Sequence, residues 1–164
     1  YQNKATDLLV STNVCPVEKA SHPYGCAYNV NKATMSGLTL GASTHLAALT
    51  LRGSFDLQNP LDDTTGKQLA RRAKRHGSLS AEYTLGVTKL GVESVFSAQR
   101  FDDVANKKRL PGYGLLNLYA SFDIATNLSA IVRWNNALNK DYELAKNYAT
   151  AGSNVFAGVN YGFK

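Results

Sequence analysis

Along most of the chain hydrophobic and polar residues alternate one by one, the period of a β-strand whose two faces meet different surroundings. The last stretch shows it plainly: Val155, Ala157, Val159, Tyr161 and Phe163 are apolar, while Asn154, Phe156, Gly158, Asn160 and Gly162 are mostly small or polar. The same reading sets Leu38, Leu40 and Ala42 against Gly37, Thr39 and Gly41, and Leu49, Leu51 and Phe55 against Thr50, Arg52, Ser54 and Asp56. Leu79, Ala81 and Tyr83 oppose Ser78, Ser80, Glu82 and Thr84, and Leu90, Val92 and Phe96 oppose Gly91, Glu93 and Ser97. Leu116, Leu118, Ala120 and Phe122 oppose Asn117, Tyr119, Ser121 and Asp123; Leu128, Ala130, Val132 and Trp134 oppose Ser129, Arg133 and Asn135. With a first strand over 1–10, the pattern predicts eight strands, the others over about 33–42, 47–56, 78–84, 90–98, 114–124, 128–135 and 154–163. No eleven-residue window carries a helical period.

The connections sharpen this. Short turns near 44, 86 and 126 alternate with long polar loops over 10–32, 57–75, 99–112 and 136–152, the loops marked by Pro16, Pro23, Asn59-Pro60 and Asp62-Asp63. Short turns on one side and long loops on the other are the plan of an up-and-down antiparallel transmembrane β-barrel, whose strands need about nine to eleven residues each. The charges Arg52, Asp56, Glu82, Glu93, Asp123 and Arg133 all share the face opposite the apolar one. A charge facing lipid costs ~2–4 kcal/mol at the bilayer midplane, so a barrel wall must sort them this way. A soluble β-sandwich with one solvated face produces the same sorting; the segregated loop lengths and the final strand favour the barrel. Tyr83, Phe122, Tyr161 and Phe163 then fall on the apolar face away from the long loops, as an aromatic girdle would.

Composition changes the picture in a few places. A chain of 164 residues is one domain by length. Its mean hydropathy of −0.25 fits strands that average lipid and water faces. The net charge of +6 suits nucleic acid, lipid phosphates or another anionic surface. Arg71, Arg72, Lys74 and Arg75 form the densest basic run, read either as contacts to lipopolysaccharide phosphates or as a solvated loop base. The run lacks interleaved aromatics, which weakens the nucleic-acid reading. Cys15 and Cys26 lie close together in a polar loop and read as a disulfide made in an oxidising compartment; His22 between them is a poor complement for a zinc site. The chain starts at Tyr1 with neither Met nor a leader pattern, read as a removed leader or a piece of something longer. There is no HExxH, CxxC, Gly-x-Ser-x-Gly or phosphate-binding loop, and His22, His45 and His76 are scattered, so neither an enzyme nor a cofactor is expected.

Several stretches carry a resemblance. The chain's end is similar to the C-terminal signal of bacterial outer-membrane proteins, although Lys164 follows the final aromatic. Gln2-Asn3-Lys4-Ala5-Thr6-Asp7-Leu8-Leu9, Asn31-Lys32-Ala33-Thr34-Met35-Ser36-Gly37-Leu38 and Leu69-Ala70-Arg71-Arg72-Ala73-Lys74 resemble runs in TonB-dependent outer-membrane receptors. So do Gln99-Arg100-Phe101-Asp102-Asp103, Pro111-Gly112-Tyr113 and Asn136-Ala137-Leu138-Asn139-Lys140-Asp141-Tyr142, in the family's order. The receptors of cobalamin (vitamin B12) are the most similar group. Thr39 and Ser153 depart from the family's usual Glu and Arg.

The resemblance implies that residues 1–164 are the C-terminal part of a receptor barrel, about eight strands of twenty-two, with the plug domain and first strands absent. It implies active import of a scarce solute, cobalamin or a siderophore, across the outer membrane of a Gram-negative bacterium. The implied partners are the TonB complex, the plug and outer-membrane lipid, and not nucleic acid. Arg52, Glu82, Glu93 and Arg133 would face the plug or luminal water, with Arg52 near Glu82 on the adjacent strand. Two rival readings stay open: a self-contained eight-stranded outer-membrane barrel with a structural or adhesion role, and a soluble basic β-sandwich that binds nucleic acid.

Overall fold

The computed structural model describes residues 1–12, 15, 21 and 24–163. Its strands are β1 (Gln2–Thr12), β2 (Cys26–Leu46), β3 (Leu49–Asp62), β4 (Arg75–Leu85), β5 (Thr88–Ser97), β6 (Arg100–Phe101), β7 (Arg109–Leu110), β8 (Tyr113–Ala125), β9 (Leu128–Asn135) and β10 (Asn154–Tyr161). Eight of them form one antiparallel sheet in the order β1-β2-β3-β4-β5-β8-β9-β10, each strand beside its predecessor. β6 and β7 are a two-residue ribbon inside the connection between β5 and β8. The eight alternating segments of the sequence are these eight strands.

Their ends differ most from the sequence expectation in three places. The first turn is at Ala47–Ala48, not Ser43-Thr44-His45, which stay paired within β2. Ala47 takes a positive φ of 52°, and Gly86 takes 58° at the matching position of the next turn. A two-residue hairpin whose first turn residue has positive φ matches the right-handed twist of its strands, but only Gly86 advertises it in sequence. β3 runs on to Asp62 through Pro60, whose carbonyl still accepts from the Leu69 N–H (3.0 Å). β2 starts seven residues before Ala33, so β1 and β2 extend beyond the alternating zone as a two-stranded ribbon ending at Thr12↔Cys26.

The register is sheared. Leu46 pairs with Leu49 and Leu49 with Tyr83, yet the next turn closes two residues beyond Tyr83, at Leu85↔Thr88. Thr88 pairs with Phe122, and the following turn closes three residues further, at Ala125↔Leu128. Hairpin ends that step steadily in one direction belong to strands tilted around a barrel.

Little of the sheet is buried on its apolar side. Leu38, Leu40, Leu79, Leu90, Val132 and Val155 are all exposed there. A continuous apolar face of this kind marks contact with lipid or another protein. The buried residues lie instead among the long loops. Val30, Ala33 and Leu69 form the cluster, with Leu8, Val10, Tyr28 and Met35 packed around it. Val30 and Ala33 are three apart and still pack together, so the alternation reverses between them. The β1–β2 pairing keeps a single register on both sides of this stretch, Thr6↔Lys32 and Leu8↔Val30, and Asp7 between them takes a φ of 55°.

Candidate functional site on the polar face and its loops

The polar face of β4, β5, β8 and β9 is tied into one hydrogen-bonded network. Glu82, Gly91, Tyr119 and Arg133 stand in a single cross-strand row. The Tyr119 ring leans over Gly91, which has no side chain to oppose it, and its hydroxyl donates to Glu82 Oε2 at 2.8 Å. In the next row Glu93 opposes Asn117, whose Nδ2 donates to Glu93 Oε2 at 2.9 Å. Arg133 reaches back across β8 to pair with Glu93 and holds its guanidinium over the Tyr119 ring, 5.9 Å from the centroid. Its Nε donates to Asn135 Oδ1 at 2.7 Å. Buried Asn117 in turn accepts from the Asn136 backbone N–H at 2.9 Å, fixing where β9 ends.

Arg52 lies near Glu82 on the adjacent strand, as expected, but makes none of the network's hydrogen bonds. Its cross-strand partner is Ser80, and Glu82 stands opposite Thr50, so the two charges are diagonal neighbours. Glu82 takes the Tyr119 hydroxyl instead. The aromatic donor two strands away was not read from the sequence; Gly91 opposite Tyr119 was the available signal.

The loops form a second layer. Arg71 donates from Nε to the fully buried Asp102 carboxylate at 2.7 Å, so that part of its guanidinium is committed within the loops. Arg72, Lys74 and Arg75 are exposed. Arg75 lies opposite Leu57, on the apolar face, at the loop end of β4. The apolar face is therefore charged at its loop-side margin, against the expectation of no charge on it. Arg100 is buried, donates from Nη2 to the Glu143 carbonyl at 2.8 Å and stacks over Tyr113. Through Arg100 the β5–β8 connection is fastened to the loop after β9.

Cys15 and Cys26 are bonded, with Cα atoms 5.6 Å apart, which closes the tip of the β1–β2 ribbon. The thiols are therefore committed to each other; His22 lies outside the described residues. A cavity of about 410 Å³ is lined by Tyr24 and Cys26 from the first loop, Arg71 from the second, and Ala145 and Tyr148 from the last. The first and last loops belong to hairpins at opposite ends of the sheet. They meet only because the sheet curls, and Tyr24 and Tyr148 are largely exposed at that mouth. Tyr83, Phe122, Tyr161 and Phe163 are exposed too; the Tyr161 and Phe163 rings meet edge to face at 4.9 Å.

Residues 1–160 match the family described as TonB dependent receptor-like, beta-barrel. The chain belongs to this family. Its members are outer-membrane barrels of Gram-negative bacteria. The vitamin B12 transporter BtuB of Photobacterium profundum is 31% identical over 146 residues, which are 88% of this chain and 24% of that protein. Among solved structures, the copper transporter OprC superposes with a TM-score of 0.77 at 17% identity, over 99% of this chain and 28% of that one. The FrpB iron transporter of Neisseria meningitidis (F5-1 variant) gives 0.70 at 20% identity, over 98% and 28%. These two show the fold: an antiparallel partial barrel. The chain spans about a quarter of the length of the curated relatives it matches. The relatives are transporters, not enzymes.

Proposed function

We propose that the chain is the C-terminal part of the barrel of an outer-membrane receptor that imports a scarce solute with energy from the TonB complex. Cobalamin is the solute favoured, because the 31% identical relative is named a vitamin B12 transporter. The observation that carries the reading is the convergence of the first, second and last loops at Tyr24, Arg71 and Tyr148, over the mouth of a curled wall. Loops gathered there catch a solute before it enters the lumen.

The open edges support a larger barrel over a self-contained one. Among the described residues β1 pairs with β2 alone and β10 with β9 alone. A bilayer has no water to satisfy an unpaired strand edge, so further strands complete the wall. Twenty-two strands in all accommodate a plug. Glu82, Glu93 and Arg133, with Arg52 beside them, then form a stiff polar surface against which that plug rests. Arg72, Lys74 and Arg75 meet lipopolysaccharide phosphates at the outer rim, and Tyr83, Phe122, Tyr161 and Phe163 line the opposite margin of the membrane. The soluble sandwich leaves the broad apolar face without a cover.

The test is uptake of radiolabelled cyanocobalamin by cells carrying or lacking the full-length gene, each with and without functional TonB. Accumulation should need both. Accumulation that persists without the gene, with TonB intact, overturns cobalamin as the solute; accumulation that persists without TonB overturns the energised mechanism.

A further inference from the structure

A second cavity, of about 350 Å³, lies where the first three long loops meet, with Tyr28, Asp62, Lys67, Asp103, Lys107 and Lys108 among its lining residues. Its charges divide into two kinds. The carboxylates are occupied by their own loops. Asp62 accepts from the Thr64 N–H (2.8 Å), the Thr65 N–H (3.3 Å) and the Thr65 hydroxyl (2.7 Å). Asp103 accepts from the Lys107 N–H (3.0 Å) and the Lys108 N–H (2.6 Å). Both are buried, and both serve to fold the turns that carry the lysines. Lys67, Lys107 and Lys108, by contrast, enter none of the ion pairs among the described residues.

The walls are held in place as well. Asn106 accepts from the Gln68 N–H at 2.9 Å and donates to the Gln68 carbonyl at 2.8 Å, pinning the third loop to the second. The Cys15–Cys26 bond pins the first, and Cys15 itself lines the cavity. Unpaired ammonium groups on loops that are pinned to one another, around an open cavity, lack only the counter-charge, and part of the ordering that weakens most loop sites has already been met.

We infer that this cavity is a binding site for a compact anionic solute, one bearing two or three carboxylate or phosphate charges, held by Lys67, Lys107 and Lys108. The inference rests on the transport reading, in which these loops meet solutes at the outer surface, and assigns them a small anion distinct from cobalamin. Tyr28 sits at the same cavity, where its hydroxyl is a further donor.

The experiment uses the full-length protein purified in detergent, with benzene-1,3,5-tricarboxylate as the probe and its neutral trimethyl ester as the control. Calorimetric titration should show one saturable site for the tricarboxylate, weakened as salt is raised, and none for the ester. The K67Q/K107Q/K108Q variant should lose affinity about tenfold or more, and the corresponding triple arginine variant should recover most of it. If the glutamine triple fails to fold, K67Q and K107Q singly should each weaken binding about threefold or more. Absence of binding to the wild type, equal binding of the ester, or full affinity in the glutamine variants overturns the proposal. Binding in detergent does not involve TonB. Loss of cobalamin uptake with intact tricarboxylate binding therefore refutes the transport reading alone, and the reverse pattern refutes this site alone.

Discussion

The ring of Tyr119 occupies the space that a side chain on Gly91 would fill, and only so does its hydroxyl reach Glu82 two strands away. The glycine is a cleared seat rather than a flexible point, since it sits in the middle of β5. Gly91→Ala should push the ring aside, break the Tyr119–Glu82 bond and cost about 1–3 kcal/mol, as overpacking does. Tyr119→Phe should cost about 1 kcal/mol. The double variant should cost less than the sum, because both changes remove the same bond. Urea unfolding of the detergent-solubilised protein measures all three, and strictly additive losses would show that the two residues act independently.

How far the sequence carried depended on whether the bilayer imposes a rule. Within the alternating zone, Leu49, Leu51 and Phe55 against Thr50, Arg52 and Asp56 place β3 and its faces correctly, because lipid admits one face only. Beyond that zone the pattern lapses. Cys26-Ala-Tyr-Asn-Val30 reads as loop yet is strand, and Val30 and Ala33 share one cluster against their parity. Loop sites such as Arg71–Asp102 join residues thirty-one apart, and no local pattern specifies such a pair. The network partner of Glu82 was missed for a related reason: adjacency of strands suggested Arg52, whereas a long tyrosine over a glycine skips one strand.

The Cys15–Cys26 bond closes a short loop at the end of the β1–β2 ribbon, with an eleven-residue separation. Constraining an unfolded loop of that size is worth about 2–3 kcal/mol in the chain-entropy account. Reduction, or the C15S/C26S variant, should lower unfolding stability by roughly that amount. Thiol titration of the non-reduced protein should find no free thiol. Two titratable thiols before reduction would sink the assignment.

Ala47 carries a positive φ at the place where the next hairpin has Gly86. An L-residue with a Cβ is strained there, whereas glycine adopts the conformation freely. Ala47→Gly should therefore stabilise the β2–β3 hairpin by about 0.5–1 kcal/mol despite glycine's larger unfolded entropy, because relieved strain exceeds that cost. Gly86→Ala should do the opposite. A lower unfolding midpoint for Ala47→Gly would contradict the turn geometry.

Glu143, in the last loop, is held below its ordinary carboxylate range by the hydrogen bond from Lys146 and then by that from the Asn147 N–H. The distances are 2.9 and 3.0 Å. A carboxylate with a depressed folded value contributes order that is complete above its unfolded value and is lost as pH falls through the folded one. Protection of the Asn147 amide against hydrogen exchange, corrected for intrinsic rates, should be flat near neutrality and fall only below the ordinary glutamate range. In Glu143→Gln that acid step should vanish. A step centred above the ordinary range would mean that the carboxylate is not stabilised in its charged form.

The register also fixes how the apolar-face aromatics stack along the membrane normal. Phe122 lies one side-chain repeat nearer the short turns than the residue in Tyr83's row, Ala120. Tyr161 lies one repeat beyond Val159, which shares Phe122's row through Ala130. Strands tilted by ~35–45° drop about one residue per neighbour, so two strands of stagger cancel each of these steps. Tyr83, Phe122 and Tyr161 should then share one level, with Phe163 one repeat further toward the periplasm. Each position replaced singly by tryptophan, in a full-length background where Trp134 and every other tryptophan are phenylalanine, reports its depth through quenching by lipids brominated at known carbons. Equal depth for Tyr83→Trp, Phe122→Trp and Tyr161→Trp, with Phe163→Trp closer to the headgroups, is the expected order. An unquenched position would place its ring away from lipid. Depths that instead follow the untilted rows, stepping steadily from Tyr83 to Tyr161, would show that the strands stand upright and that the shear does not describe a barrel wall.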